Sequence, residues 1–562
     1  MPRIRQFVTT ALRSRVHRVH TLRMLKIHPT RRPAGVGLAR LLAVALLATA
    51  CHRALPEAAG QHGFELRGGR WLGRDGFRAG TRWIVDARIT TRRPRQVDSV
   101  IDLAGRWVVP PFGEAHNHNV DYSTPARTDS LIARYLRDGV FYVRNPGNLP
   151  RGRDSLAGRV NVPRGVDVVF ANGLLTATGG HPTGLHRRNL ARGAMTAADG
   201  EGAFFWSIDS LPDLERKWPR ILAGRPDFIK VVLVHSEEFA RRRTDTAYFN
   251  WRGLDPALVS DVVRRAHAAG LRVSAHVETA TDFQNALVGG VDEINHIPGF
   301  RGDERVQFTD VKRYEVTEAD AKLAVARGVW VVTTLGGISD FTPNGPDSLR
   351  RRQADALFTR NLRVLRDAGV RLAIGSDAYR DDSVQEVTYL ASLGVFTPLQ
   401  LLRLWSEATP QAIFPRRRVG CLEDGCDASL LVLAADPSVD VANMRRIALR
   451  MKDGRMLPCL DAACAGAARD SLAAVVGSWE KADDRLPPIS LDVTRDGSTF
   501  RVRLRLSGVE RHGTLSGTPR ALVLSFPDAP GTASMSAEVV SATEMRLRLS
   551  NGGEAYLLRK VR

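Results

Sequence analysis

Lysine is scarce in this chain of 562 residues. Only 8 of its 81 basic residues are Lys, and Arg supplies the rest. Any Lys inside an apolar segment therefore stands out. Acidic residues are missing altogether from residues 1–50, where nine Arg and one Lys carry +10 of the formal +21. The basic excess is thus concentrated in a leader. No later run is long or aromatic-interleaved enough to make a nucleic-acid face, so nucleic acid is excluded as a partner. Apolar runs long enough to cross a bilayer, about 20 residues, are also missing; the candidate at residues 41–50 has ten. Histidine is absent between His296 and His512, so an imidazole site in the middle of the chain must be assembled from residues up to His296. What remains is ordinary: 43% hydrophobic and 25% charged. That balance excludes disorder, collagen and a polytopic membrane protein. At roughly 100–200 residues per domain, the length predicts several domains or one large barrel with attachments.

Residues 1–50 are predicted to be an export signal. Residues 41–50 read LLAVALLATA, with Arg31, Arg32 and Arg40 upstream. A basic region, a short apolar core and small residues at the cut are the parts of such a signal. Ala48-Thr49-Ala50-Cys51 resembles the bacterial lipoprotein signal, with Ala48 where that signal prefers Leu. The resemblance implies a lipid on Cys51 and a periplasmic or outer-membrane-anchored protein that touches membrane only through that anchor. Met24 offers a second start, which would shorten the leader. The other four Cys form two Cys-x4-Cys pairs, Cys421 with Cys426 and Cys459 with Cys464. In an oxidising compartment this even set is expected to form disulfides, with three connectivities open. A structural zinc site is the rival reading.

Residues 51–110 hold short β-type runs, such as Trp83-Ile84-Val85 and Trp107-Val108-Val109, between glycine-rich turns. From Pro111 strands alternate with helices. Candidate strands end near His118, Arg144, Thr176, Val234, Glu278, His296, Thr334 and Asp377. Between them, Asp255–Ala269 has Pro at its second position and stops before Gly270, as helix start and stop rules expect; Thr279–Val288 and Thr317–Arg327 behave likewise. Eight strands alternating with helices predict an α/β fold, a (β/α)8 TIM barrel over residues 111–414. Residues 415–465 return to strand character and are expected to complete, with 51–110, a small composite β-sandwich. The last module, 471–562, carries Thr499–Leu506 and Met545–Leu549, where apolar residues alternate with Arg as in half-buried antiparallel strands. Gly477-Ser478-Trp479 resembles the opening strand of lipocalins. The segment is short for a complete eight-stranded calyx, so it is read as a structural, lipocalin-like β module.

Chemistry gathers at the strand ends. His116 and His118 follow the apolar run Val108–Phe112. Residues i and i+2 of a strand face the same way, so both imidazoles are expected at one mouth. Lys230 interrupts Phe228-Ile-Lys-Val-Val-Leu-Val234, and a buried ammonium is costly unless paired or neutralised. His276, His296 and Asp377 end the fifth, sixth and eighth strands. Each alone has a bland reading: a core hydrogen bond for the His, a strand-end Lys that snorkels. Together they place six metal-competent groups at the C-terminal strand ends, where barrel active sites are built.

With these residues in order, the chain resembles the metal-dependent amidohydrolase superfamily, and within it the imidazolonepropionase-like and prolidase-like hydrolases. Val109-Pro-Pro-Phe-Gly-Glu-Ala-His-Asn-His118 is similar to that family's opening motif, with Pro111 for the usual Gly and Glu114 for the usual Asp. Ala275-His-Val-Glu-Thr279, Asp292-Glu-Ile-Asn-His-Ile-Pro-Gly299, Gly375-Ser-Asp377 and Gly425-Cys-Asp-Ala-Ser-Leu-Leu-Val-Leu433 resemble its later motifs. The resemblance spans about residues 62–459. It implies two divalent ions, zinc first among the candidates, held by His116, His118, His276 and His296 and bridged by a carboxylated Lys230. It implies Asp377 as metal ligand and catalytic acid–base, with a metal-activated hydroxide attacking an amide-type C–N bond. Gly179-Gly-His-Pro-Thr183 resembles a substrate loop of prolidase-like members, and His181 would donate to a substrate carbonyl. Asn119 and Arg144 are further candidates for substrate contact, Arg144 for a carboxylate. The small-molecule substrate is expected to be a dipeptide, an N-acyl amino acid or a cyclic amide; oligomeric state stays open. The alternative is a catalytically silent surface lipoprotein that binds ligands or partners through its β modules.

Overall fold

The computed structural model describes residues 62–121, 124–299, 310–337, 348–378, 381–457, 475–482, 488–496, 499–518, 521–527, 534–541, 544–548 and 555–561. The expected signal, Cys51, Cys459 and Cys464 lie outside the described residues. No helix among the described residues is long and apolar enough to cross a membrane.

Each of the eight expected strand ends follows a parallel strand. Phe112–Glu114, Val140–Asn145 and Asp167–Phe170 form one parallel sheet. Leu174–Thr176, Ile229–Val232, Val273–His276, Glu293–Asn295, Trp330–Val332 and Arg371–Ala373 follow in a second, with Phe205–Ser207 added at its edge. The third expected strand is therefore two short ones, broken at Ala171–Gly173. Most of these strands are buried along their whole length, which accounts for near-continuous apolar runs instead of alternation. Backbone hydrogen bonds join the two sheets. Ala115 N–H donates to Ile374 O at 2.8 Å, Asp377 N–H to His116 O at 2.8 Å, and Asp227 N–H to Phe170 O at 2.8 Å. The first and eighth strands approach so closely that a Cβ on Gly375 would stand 2.7 Å from His116 N, where glycine is required for backbone approach. A Cβ on Gly113 would stand 2.6 Å from the methyl of Thr409, the first residue of helix Thr409–Ile413.

The helices between the strands start and stop where local chemistry dictates. Ala280–Gly289 is opened by a capping box of Thr279 and Asp282 and closed by Gly290 at φ 84°. Glu318–Arg327 repeats the device with Thr317, Asp320 and Gly328. Such caps supply partners for the otherwise unpaired first N–H groups. Helix Ala280–Gly289 turns Phe283, Ala286 and Leu287 into the core, each large side chain worth roughly 1.5–3 kcal/mol on burial. The stretch expected as one helix from Asp255 begins with a 3-10 turn, Pro256–Leu258, before Val259–Ala268.

Flanking residues build one eight-stranded sheet in the order Arg455–Met456, Ile447–Lys452, Leu430–Leu433, Trp107–Val109, His62–Gly73, Gly76–Val85 and Arg88–Thr90, with Gln96–Asp102 also on His62–Gly73. The hydrogen bonding is continuous, because the long strand His62–Gly73 shifts register between Leu66 and Gly69 and pairs with Gln96–Asp102 before the shift and Trp107–Val109 after it. Lys452 is buried here, its ammonium on Asp167 Oδ1 at 2.8 Å and Asp453 Oδ2 at 3.1 Å.

Cys421 and Cys426 form a disulfide, so the pairing runs within one Cys-x4-Cys motif. Chain-entropy arguments put so short a loop near ~2 kcal/mol. Replacing both Cys by Ser is expected to lower unfolding stability by about that amount, read as a reduced denaturant midpoint at unchanged slope.

The C-terminal residues form a closed barrel of eight antiparallel strands, Gly477–Lys481 pairing with both Ile489–Asp496 and Tyr556–Lys560. This overturns the expectation that the segment is too short for eight strands. Strands of five to ten residues suffice because the interior is narrow and filled by side chains, among them Trp479, Leu491, Phe500, Leu504, Leu524, Met545 and Leu558. Arg501, Arg503 and Arg505 face outward on Asp496, Asp492 and Glu510.

Candidate metal centre

The six expected residues arrive at one end of the parallel strands. One ligand atom each of His116, His296 and Asp377 lies within 4.8 Å of the others. His118 Nε2 stands 3.6 Å from Asp377 Oδ1, and His116 Nε2 3.8 Å from the same oxygen. The His276 ring is 4.4 Å from that of His296, centroid to centroid, and the His181 ring stacks on His276 at 5.2 Å. His296, Thr334 and Asp377 hold left-handed backbones, with φ of 77°, 55° and 48°. Non-glycine residues adopt this region only when their surroundings impose it, and such positions cluster at functional sites.

Hydrogen bonds select the imidazole tautomers. Gly147 O, an acceptor only, lies 3.1 Å from His118 Nδ1, so Nδ1 carries the proton and Nε2, the nitrogen facing Asp377, offers its lone pair. The Thr334 hydroxyl donates to Thr333 O at 2.8 Å and therefore accepts from His296 Nδ1 at 2.6 Å. His296 Nε2 then has the lone pair. Imidazoles gathered beside a carboxylate are the donor set that suits a divalent ion such as zinc.

Lys230 is buried at 1% exposure, its ammonium donating to Asn295 Oδ1. Burial pulls its pKa down to about 7, against the opposing fields of Glu293 and Asp377, so a large share of the amine is uncharged near neutrality. Around it runs a buried network that sequence reading missed. Asn295 Nδ2 donates to Glu293 Oε1 at 2.9 Å, the Ser274 hydroxyl lies within hydrogen-bond distance of Glu293 Oε1 and Asn295 Oδ1, and Arg144 pairs with Glu293. The signal was present as polar residues alternating within Glu293-Ile-Asn295, but alternation alone does not say which face is central.

Arg144 and Asn119, the expected substrate contacts, are both engaged by protein partners. Arg144 is 3% exposed, bound to Glu293 and to Ala412 O, and its guanidinium lies over Phe228. Strand parity turns it inward, away from the mouth. Arg144→Met should leave Glu293 buried without its cation and cost roughly 3–5 kcal/mol. Thermal unfolding checks this, while KM for any substrate should stay unchanged. Asn119 Nδ2 donates to Ala378 O at 2.9 Å and Asp381 O at 2.8 Å, and its backbone N–H to Asn117 Oδ1. Asn117, the residue between the two metal-competent His, reaches Ser376 Oγ, Ala378 O and Asp381 O. Both amides thus hold the loop after Asp377. Glu114, which stands for the family's Asp, accepts from Ser376 N, Ser376 Oγ and His116 N; burial raises its pKa well above the carboxylate range.

A cavity of about 540 Å³ opens at the opposite strand ends, lined by Trp330, Arg371, Arg417 and Arg418 among others. Its arginines are engaged: Arg417 by Asp167 and Asp427, Arg418 by Asp424 O, and Arg371 over Trp330. The imidazoles are not part of it.

Residues 245–457 match the amidohydrolase family. An uncharacterised protein of Mycobacterium tuberculosis is 26% identical over 378 residues, 63% of this chain and 86% of that protein; one of Mycobacterium bovis matches equally. Among solved structures, an amidohydrolase is similar at TM-score 0.54 and 21% identity, over 70% of this chain and 98% of its own. A. niger ochratoxinase is similar at 0.55 and 18%, covering 70% and 96%. A prolidase complexed with N-methylphosphonate-L-proline is similar at 0.53 and 20%, covering 70% and 99%. The chain thus has an amidohydrolase-type fold with a His and Asp group fit for a metal at its strand ends.

Proposed function

We propose that this protein is a metal-dependent hydrolase of amide-type C–N bonds, its two parallel sheets together forming a (β/α)8 barrel. The convergence of His116, His296 and Asp377 within 4.8 Å carries this reading. His116, His118, His276 and His296 would hold two divalent ions, zinc first, with Lys230 carboxylated between them. The uncharged share of Lys230 supports carboxylation, since only a neutral amine adds to carbon dioxide. Divalent ions held there would supply an activated water and an electrophile for the scissile carbonyl. Asp377 accepts the proton of the attacking water and passes it to the leaving nitrogen. His181, stacked beside His276, donates to the substrate carbonyl. The family match and the prolidase among the similar structures favour a dipeptide, N-acyl amino acid or cyclic amide.

The test is a screen of these three classes, and of lactones, against protein whose metal content has been measured. Hydrolysis that stops on chelation and returns with added zinc is expected. Stoichiometric metal with no turnover of any class would replace this reading by the silent binding protein. We further propose export with Cys51 as the lipidated mature N-terminus. Mass spectrometry of the exported protein checks this, and cleavage elsewhere with an unmodified Cys51 would overturn it.

A further inference from the structure

We propose that Glu278 is a positioning residue that selects which nitrogen of His276 faces the metal. The inference rests on the metal-hydrolase reading above and deepens it at one ligand. Glu278 Oε1 lies 3.0 Å from His276 Nε2. That oxygen engages Nε2, so Nδ1 is the ring nitrogen that would face a metal. His118 and His296 are set the opposite way, with Nδ1 donating to Gly147 O and to Thr334 Oγ1. Glu278 thus reverses one imidazole relative to its neighbours, and of these three partners it is the carboxyl side chain.

The carboxylate is held in place for this role. His276 ends the strand Val273–His276, and Glu278 stands in the bend two residues further on. The Glu278 backbone is tied on both sides: its N–H donates to Asp282 Oδ2 at 3.1 Å, and its O accepts from Gly299 N–H at 3.0 Å. Asp282 is fully buried and also accepts from Thr279 N–H, His235 N–H and Ser236 N–H. The segment that carries Glu278 is therefore pinned to the loops after the fourth and sixth strands. Its side chain stays 21% exposed, so truncation opens no core cavity. Carboxylate partners on the far nitrogen of a ligand imidazole commonly govern metal affinity by about 10–100-fold.

The test uses the full chain stripped of metal, with zinc affinity read by competition with a chelating indicator. Glu278→Ala is expected to weaken zinc binding about 10–100-fold while the metal-free protein unfolds at the wild-type temperature. Glu278→Gln should recover part of that loss, because its amide oxygen still accepts from Nε2–H without the charge. Wild-type zinc affinity in both variants would overturn the inference. So would a drop in metal-free unfolding temperature that parallels the affinity loss and that Gln does not relieve, since that pattern marks a structural role. If the wild-type chain takes up no zinc, the metal-hydrolase reading fails and this inference falls with it. If the wild type binds zinc and hydrolyses substrate while the variants bind equally, this inference alone fails.

Discussion

Asp377→Asn should lose on the order of 10²–10⁴-fold in kcat and keep its metal. The carboxylate sits 3.8 Å and 3.6 Å from His116 Nε2 and His118 Nε2, where it can take a proton from an attacking water. The amide of Asn cannot take it. Asn also tolerates the left-handed backbone found at this position, φ 48°, so the substitution disturbs no fold. The four imidazoles keep their partners. Metal content and kcat measured on the same preparation give the answer. Near wild-type turnover would show that Asp377 is not the proton carrier, and loss of metal would show that its carboxylate is chiefly a ligand.

Lys230→Ala is expected to abolish activity and remove most of the metal. In the proposed site a carbamate on Lys230 would supply one negative charge and two oxygens to the ions, and an alanine supplies neither. The variant also leaves Asn295 Oδ1 without its donor inside a buried network, so metal-free unfolding should be measured alongside. Short carboxylic acids added to the variant are expected to restore part of the metal content, since they can occupy the space of the carbamate. Lys230→Arg should not rescue, because guanidinium stays cationic and cannot be carboxylated. Full metal occupancy in Lys230→Ala would leave a site held by the histidines and Asp377 alone.

The two variants fail in different ways because the residues differ in how they reach the site. Asp377 stands at a strand end, partly open to the mouth. Lys230 rises from within the strand Ile229–Val232, all four residues of which are buried. Its amine donates to Asn295 Oδ1 and lies in the fields of Glu293 and Asp377. Burial lowers its pKa to about 7, whereas an ordinary surface Lys would be almost wholly charged at the same pH.

Much of this was legible in the chain. Strand ends, helix caps and the order of His116, His118, Lys230, His276, His296 and Asp377 are local properties. A capping box is four consecutive residues, and strand parity between His116 and His118 needs no distant partner. The scarcity of Lys singled out Lys230 before any contact was known. Arg144 shows where local reading stops. Its place at the end of a strand suggested the mouth, yet its guanidinium turns to Glu293 and Ala412 O, residues 149 and 268 positions away. A side chain with two acceptors of that sequence separation has an address no window can contain. Asn119 is a second case of distant partners: its amide serves Ala378 O and Asp381 O.

What the sequence by itself determined was the identity and order of the metal-competent groups and the strands that carry them. Periodicity, caps and strand parity are short-range and survive without tertiary context. Only the tertiary structure decided which groups face one another. The lone pairs of His118, His276 and His296 are set by Gly147 O, Glu278 and Thr334, and the position of Asp377 by a backbone hydrogen bond to His116 O across the chain. Metal affinity and proton transfer depend on angles and distances between elements, and those are fixed when the strands pack side by side, not by the residues within any one of them.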